Sequence, residues 1–319
     1  MKGMIRRLLG LELPSTAPAA PPAPPIQPAP PAYAARSWKT ADGLTLHARD
    51  YPAADGPAKL PILCLHGLTR NAADFEHLGP HIAAQGRRVL AVDFRGRGRS
   101  DWDPEPMRYL PATYAGDVLA LLDQAGIARA GFIGTSLGGI VSMLLAAMRP
   151  TAVAGVTLND VGATLNPEGL KRIGSYVGIS SQVSSWAEAA RYAAKINGAA
   201  FPHYGDAEWD AFGRRLFVQD ASGAFSLAYD PDISVPFKAL DPAAPPADLT
   251  PLFTAMATGR PTLLIRGQLS DLLDEGRAQA MRTIDPLMDY AEVPSVGHAP
   301  MLDEPEALAA IDGWLGKLA

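Results

Sequence analysis

Residues 130–139 read Ala130-Gly131-Phe132-Ile133-Gly134-Thr135-Ser136-Leu137-Gly138-Gly139. An apolar run ending at Ile133 reads as a buried strand, and the small, apolar run from Gly139 to Ala147 reads as a helix. The Gly-x-Ser-x-Gly turn between them has the form of a nucleophile elbow. Such a turn is tight, and Gly134 and Gly138 lack the Cβ atoms that would collide where strand and helix approach. The serine hydroxyl is then held above the sheet, with the backbone N–H groups of the helix start below it.

Outward from this turn, apolar strands alternate with helices. Trp38 to Tyr51 reads as a hairpin about Asp42-Gly43. Ile62 to Leu65 and Val89 to Val92 read as buried strands, Ala72 to Gln85 and Thr113 to Gln124 as helices, and Val153 to Leu158 as a further strand. This alternation predicts an α/β fold with a mostly parallel central sheet and helices on both faces. From about Asn159 to Asp241 helical stretches occur without buried strands; Ser184 and Asp206 are their candidate N-caps. Strand patterning resumes at Thr262 to Ile265, continues at Tyr290 to Val293, and closes with a helix from Pro305 to Leu318. The expected organisation is a core of residues 35–160 and 242–319 interrupted by a helical cap at 161–241.

Residues 14 to 31 contain nine prolines, interspersed with alanines. With residues 1–34 they are expected to form a tail with an extended spacer. Lys2, Arg6 and Arg7 precede an apolar run that stops at Glu12, too short for a signal peptide, and no segment reaches bilayer-spanning length. A cytoplasmic location is expected. The net charge of −5 over 319 residues, with no basic block, gives no support for nucleic-acid binding. The single cysteine, Cys64, cannot form an internal disulfide and reads as a core thiol.

A serine nucleophile needs a base, and the base needs an orienting acid. Two histidines follow Ser136. His203 falls in the cap, whereas His298, in the loop after the last apolar strand, is the expected base. The expected acid is Asp271, in the loop after Thr262 to Ile265. Asp274 and Asp160 are rivals, the latter directly after the earlier strand Val156 to Leu158. The expected oxyanion donors are the backbone N–H groups of Leu137 and Leu68, the latter in Leu65-His66-Gly67-Leu68. His66 precedes the serine and reads as a residue pinning that loop. Asp74, His77 and His81 share a helical face and read as solvated rather than metal-binding. Trp186, Tyr192, Phe201, Tyr204 and Trp209 line a pocket or form the cap's own core; the sequence favours neither.

Taken with His66-Gly67, the Asp93 to Ser100 turn, the Arg266 to Asp271 loop and Gly297-His298, the elbow makes the chain from Ser37 to Ala319 resemble the α/β-hydrolase superfamily. The resemblance implies a capped serine hydrolase acting through Ser136, His298 and Asp271 on a small to medium ester or lactone. It implies neither metal nor cofactor, and a structural role for the Asp93 to Ser100 turn. Serine at position 136 separates the chain from dehalogenases and epoxide hydrolases of this fold, which carry aspartate there. Other readings are a carbon–carbon bond hydrolase of ring-cleavage products, a proline-type aminopeptidase, and a non-enzymatic ligand receptor. The first typically carries a tryptophan soon after the catalytic histidine, where this chain has Ala299-Pro300-Met301, and an arginine in the cap, a criterion that Arg172, Arg191, Arg214 and Arg215 leave open.

Overall fold

The computed structural model describes residues 32–179, 182–239 and 246–318; the predicted tail up to residue 31 lies outside them. In chain order the first strands are β1 (Ala34–Lys39), β2 (Thr45–Tyr51) and β3 (Ile62–Leu65). Helix α1 (Leu78–Ala83), β4 (Val89–Asp93), α2 (Pro111–Gln124), β5 (Ala130–Thr135), α3 (Leu137–Met148) and β6 (Val153–Asn159) complete the first half. Then come α4 (Pro167–Gly174), α5 (Trp186–Asn197), α6 (Asp206–Leu216), β7 (Phe217–Gln219), β8 (Phe225–Leu227) and α7 (Ser234–Lys238). The chain closes with α8 (Thr250–Ala257), β9 (Thr262–Gly267), α9 (Glu275–Ile284), β10 (Asp289–Val293) and α10 (Pro305–Leu315).

Eight strands form one sheet in the order β1-β2-β4-β3-β5-β6-β9-β10. β1 and β2, and β2 and β4, pair antiparallel; every other neighbour pairs parallel. Every residue of β3, β4 and β6 is buried, as strands covered on both faces require. The period of two along β5 shows which helix covers which face. A Cβ on Gly131 would strike Trp314 and Leu318, at the C-terminal end of the chain, whereas one on Gly134, three residues on, would strike the backbone of Gly138 and Gly139 in α3. Helix α10 therefore covers one face and α3 the other. Cys64 is fully buried in β3, and burial pushes its thiol pKa up, which keeps it an inert core group. None of the described helices is long and apolar enough to cross a membrane.

Two elements differ from the sequence expectation. The segment Ala72 to Gln85 is a 3-10 turn over Ala72–Phe75 followed by the shorter α1. Asn71 caps the turn by accepting from Ala73 N–H at 2.9 Å. The insertion after β6 also contains the antiparallel ribbon β7–β8, registered Phe217 opposite Leu227, so it is not purely helical. Its three-residue strands are too short to show alternation.

Candidate active site

Ser136 joins β5 to α3 with φ 51° and ψ −114°. A left-handed φ on a non-glycine residue costs on the order of 1–3 kcal/mol and persists only where the surroundings enforce it. Here the Ser136 N–H is held by the Asn159 carbonyl at 2.9 Å, and its own carbonyl accepts from Gly139 N–H at 2.9 Å. A Cβ on Gly138 would overlap the Leu65 carbonyl of β3, so glycine is what allows α3 to start this close to the sheet. Leu137 opens α3, and its N–H is one of the helix-start donors without an intrahelical acceptor.

His298 Nε2 lies 3.0 Å from Ser136 Oγ, and His298 Nδ1 lies 2.7 Å from Asp160 Oδ2. The carboxylate against His298 belongs to Asp160 and not to the expected Asp271. Asp160 directly follows β6 with φ 54° and is fully buried. Gly267 N–H donates to its Oδ1 at 2.9 Å, and the Ser270 hydroxyl to its Oδ2 at 2.6 Å. Asp271 turns away to pair with Arg172 of α4, whose Nη2 donates to Oδ1 at 2.9 Å and whose Nε donates to Oδ2. Although partial burial opposes it, the Arg172 guanidinium holds Asp271 below the ordinary carboxylate range. Asp274 caps α9 through Arg277 N–H. Sequence reasoning also passed over Asn159, whose side chain donates to Thr135 Oγ1 at 3.0 Å and to the Pro300 carbonyl at 2.8 Å. It thereby ties the loop carrying His298 to the strand carrying Ser136; its position beside Asp160 was the available signal.

The loop after β3 brings Gly67 and Leu68 to the same cavity as Ser136. His66 Nδ1 lies 2.7 Å from the Gly67 carbonyl, and its Nε2 accepts from Phe94 N–H at 3.1 Å. The ring is thus the neutral tautomer with its proton on Nδ1, and it fixes the loop as a structural residue. Arg97 Nε braces the loop from behind by donating to the Leu68 carbonyl at 3.0 Å. In the turn that carries Arg97, Asp93 accepts from Ala72 and Arg99 N–H groups, so its carboxylate is structural too.

Burial pushes the His66 pKa down to about 3. A depressed histidine pKa favours folding fully above the unfolded value of roughly 6.5. That contribution falls as pH drops from there toward 3, because the unfolded chain then binds the extra proton. The stability advantage of the wild type over His66→Asn is accordingly expected to be full at pH 7 and smaller at pH 5. Urea unfolding of both proteins at the two pH values checks this; an advantage equal at both would refute the buried neutral imidazole.

The cavity over Ser136 has a volume of ≈ 70 Å³, and Ile173, Tyr176, Asn197, Phe201 and Phe212 of the insertion contribute to its lining. The aromatic residues of the insertion serve both readings. Phe201 lines the cavity and also stacks on Tyr204 at 4.6 Å, while Trp186 packs against Phe225 of the ribbon. His203 packs edge-on to Tyr204, and Ser136 is hydrogen-bonded by His298 instead. On the helical face near the N-terminal half, Asp74 is taken by Arg70 and His81 by Asp312. Among the described residues no three His, Cys, Asp or Glu side chains gather as a metal site.

The family model described as the alpha/beta hydrolase fold matches residues 61–217. A 3-hydroxybutyrate-oligomer hydrolase of Cupriavidus necator is 33% identical over 269 residues, which cover 83% of this chain and 91% of that protein. The solved structure of an alpha/beta hydrolase from Novosphingobium aromaticivorans is 44% identical, with a TM-score of 0.84 over 91% of this chain and 100% of that one. An E-2-(acetamidomethylene)succinate hydrolase shares the fold at a TM-score of 0.74 and 23% identity, over 89% of this chain and 99% of that one. Similarity along nearly the whole length of such proteins, on a sheet of this order, makes the chain a hydrolase of the α/β-hydrolase family.

Proposed function

We propose that the protein cleaves small to medium carboxylic esters through an acyl-enzyme on Ser136. The carrying observation is the unbroken hydrogen-bond chain from Ser136 Oγ through His298 to Asp160. In this reading His298 Nε2 takes the hydroxyl proton as Oγ attacks the ester carbonyl. The N–H groups of Leu68 and Leu137 receive the oxyanion. His298 returns its proton to the departing alcohol, and water then cleaves the acyl-enzyme by the same steps in reverse. Asp160 keeps the imidazole in the tautomer with the proton on Nδ1 and stabilises the imidazolium. Two further donors, from Gly267 and Ser270, hold the carboxylate in place.

The relative named for hydrolysing 3-hydroxybutyrate oligomers supports an ester of an aliphatic hydroxy acid, since such acids oligomerise through ester bonds. The insertion over Ser136 favours an enclosed substrate over a long polymer. A cavity of ≈ 70 Å³ is small beside the roughly 300–1,000 Å³ of a typical ligand site, which favours a small substrate.

Covalent capture tests the reading. A fluorophosphonate is expected to label the peptide carrying Ser136 at one equivalent per chain, with hydrolysis of p-nitrophenyl butanoate lost in proportion. Hydrolysis that survives complete labelling, or labelling at another residue, would overturn it.

A further inference from the structure

Arg70 stands at the end of the turn that carries the candidate oxyanion donor; its N–H closes that turn on the Gly67 carbonyl at 3.2 Å. A Cβ placed on Gly67 would lie 3.6 Å from Arg70 Cγ and 3.8 Å from Ser136 Cβ, so the arginine and the serine flank one residue. Both line the same cavity. One edge of the guanidinium is occupied: Nε donates to Asp74 Oδ2 at 2.8 Å, and Nη2 donates to Asp74 Oδ1. The third nitrogen, Nη1, is buried and has no hydrogen-bond partner among the described residues. Phe212 of α6 covers the group, its ring centre 4.0 Å from Arg70 Cζ.

Native structures seldom leave a buried donor of a charged group unpaired. A guanidinium presents five N–H donors in a fixed planar fork, and the two edges of that fork are chemically alike. With Asp74 on one edge, the other edge offers Nη1 and the outer N–H of Nη2 to a second planar acceptor. The Arg70–Asp74 pair is neutral overall, so it does not attract anions in general. A bulky dianion such as a phosphate would meet both the small cavity and the Asp74 charge, whereas a flat monoanion in line with the fork fits both.

We infer that Arg70 binds a carboxylate carried by the substrate, making esters that bear a free acid group the preferred class. This rests on the reading of Ser136 as an ester-cleaving nucleophile. The carboxylate can lie on either half of the ester, and two substrate pairs separate the cases. In one pair the acid is on the alcohol half: 3-butyryloxybutanoate against its primary amide. In the other it is on the acyl half: the p-nitrophenyl half-ester of glutaric acid against p-nitrophenyl pentanoate.

The wild type is expected to favour the acidic member of at least one pair by ~10-fold or more in kcat/KM, carried by KM, the scale of one charge-assisted contact. Arg70→Gln should bring that ratio toward one. The double variant Arg70→Gln/Asp74→Asn, which leaves no unpaired carboxylate in the cavity, should do the same if the single variant folds poorly. A wild-type ratio near one in both pairs overturns the inference without any variant, and so does a ratio that survives both substitutions. Calorimetric titration of Ser136→Ala with the same pairs reads the preference as affinity. Carboxylate recognition is thereby judged even where turnover, and with it the ester-hydrolysis reading, fails.

Discussion

Ser136→Ala is expected to lower kcat for a p-nitrophenyl ester by roughly 10⁶-fold, the scale seen when a triad nucleophile is removed. The variant keeps the elbow, because alanine meets the same left-handed φ that serine already tolerates and the flanking glycines are untouched. The Leu137 N–H stays at the start of α3, so a residual rate above that in water is expected from the oxyanion donors and binding alone. KM should change little, since the lost hydroxyl acts on the carbonyl carbon rather than on the rest of the substrate. Steady-state kinetics on both proteins, with the thermal midpoint as a folding control, measure this. A variant within tenfold of the wild type would remove Ser136 from the chemistry.

Asp160→Asn should cost about 10⁴-fold in kcat, whereas Asp271→Asn should cost less than about tenfold. The first substitution preserves shape but places an amide where the carboxylate accepts from His298 Nδ1. An N–H facing Nδ1 drives the ring proton to Nε2, which then confronts Ser136 Oγ as a donor and can no longer accept its proton. The second substitution only weakens a partly exposed ion pair between Asp271 and Arg172. Exposed pairs of this kind contribute about 0–1 kcal/mol. Measuring both variants on one substrate decides the assignment; the reverse ranking would return the acid to Asp271.

The contrast between these two aspartates shows where sequence reading stops. Ser136 and His298 are marked by their immediate neighbours, because an elbow and a strand-end loop are local geometries with local residue requirements. The covered, mostly parallel sheet is legible in short apolar runs such as Ile62–Leu65, whereas the order of its strands is not. The acid has no such local mark. Asp160 and Asp271 each follow a strand at the same edge of the sheet, and β6 and β9 are neighbours in it. What separates them is Arg172, which comes from α4 in the insertion and engages Asp271, and the donors Gly267 and Ser270, which converge on Asp160. Those partners lie about a hundred residues away in sequence, and only the folded chain brings them together. Arg70 was overlooked for a related reason. A single arginine after a turn is unremarkable until one of its nitrogens is found buried, without a partner among the described residues, on a side chain that lines the cavity over Ser136.

The loop from Asp93 to Ser100 has a mechanical consequence. Behind the site, Gly98 N–H donates to the Ala228 carbonyl at 2.9 Å, Asp230 N–H donates to the Gly96 carbonyl at 2.8 Å, and the Tyr109 hydroxyl donates to buried Asp230 at 2.5 Å. The first two of these bonds sew the far end of the ribbon to the same loop whose Arg97 braces Leu68. On the opposite margin α4 is tied to the loop after β9 by the Asn166 N–H, which donates to the Leu272 carbonyl at 2.9 Å, and by the partly exposed Arg172–Asp271 pair. The insertion is thus pinned to the core on both sides of the cavity, and one of those pins shares its loop with the Arg97 that braces Leu68, so the cover over Ser136 and the candidate oxyanion loop are held to one frame.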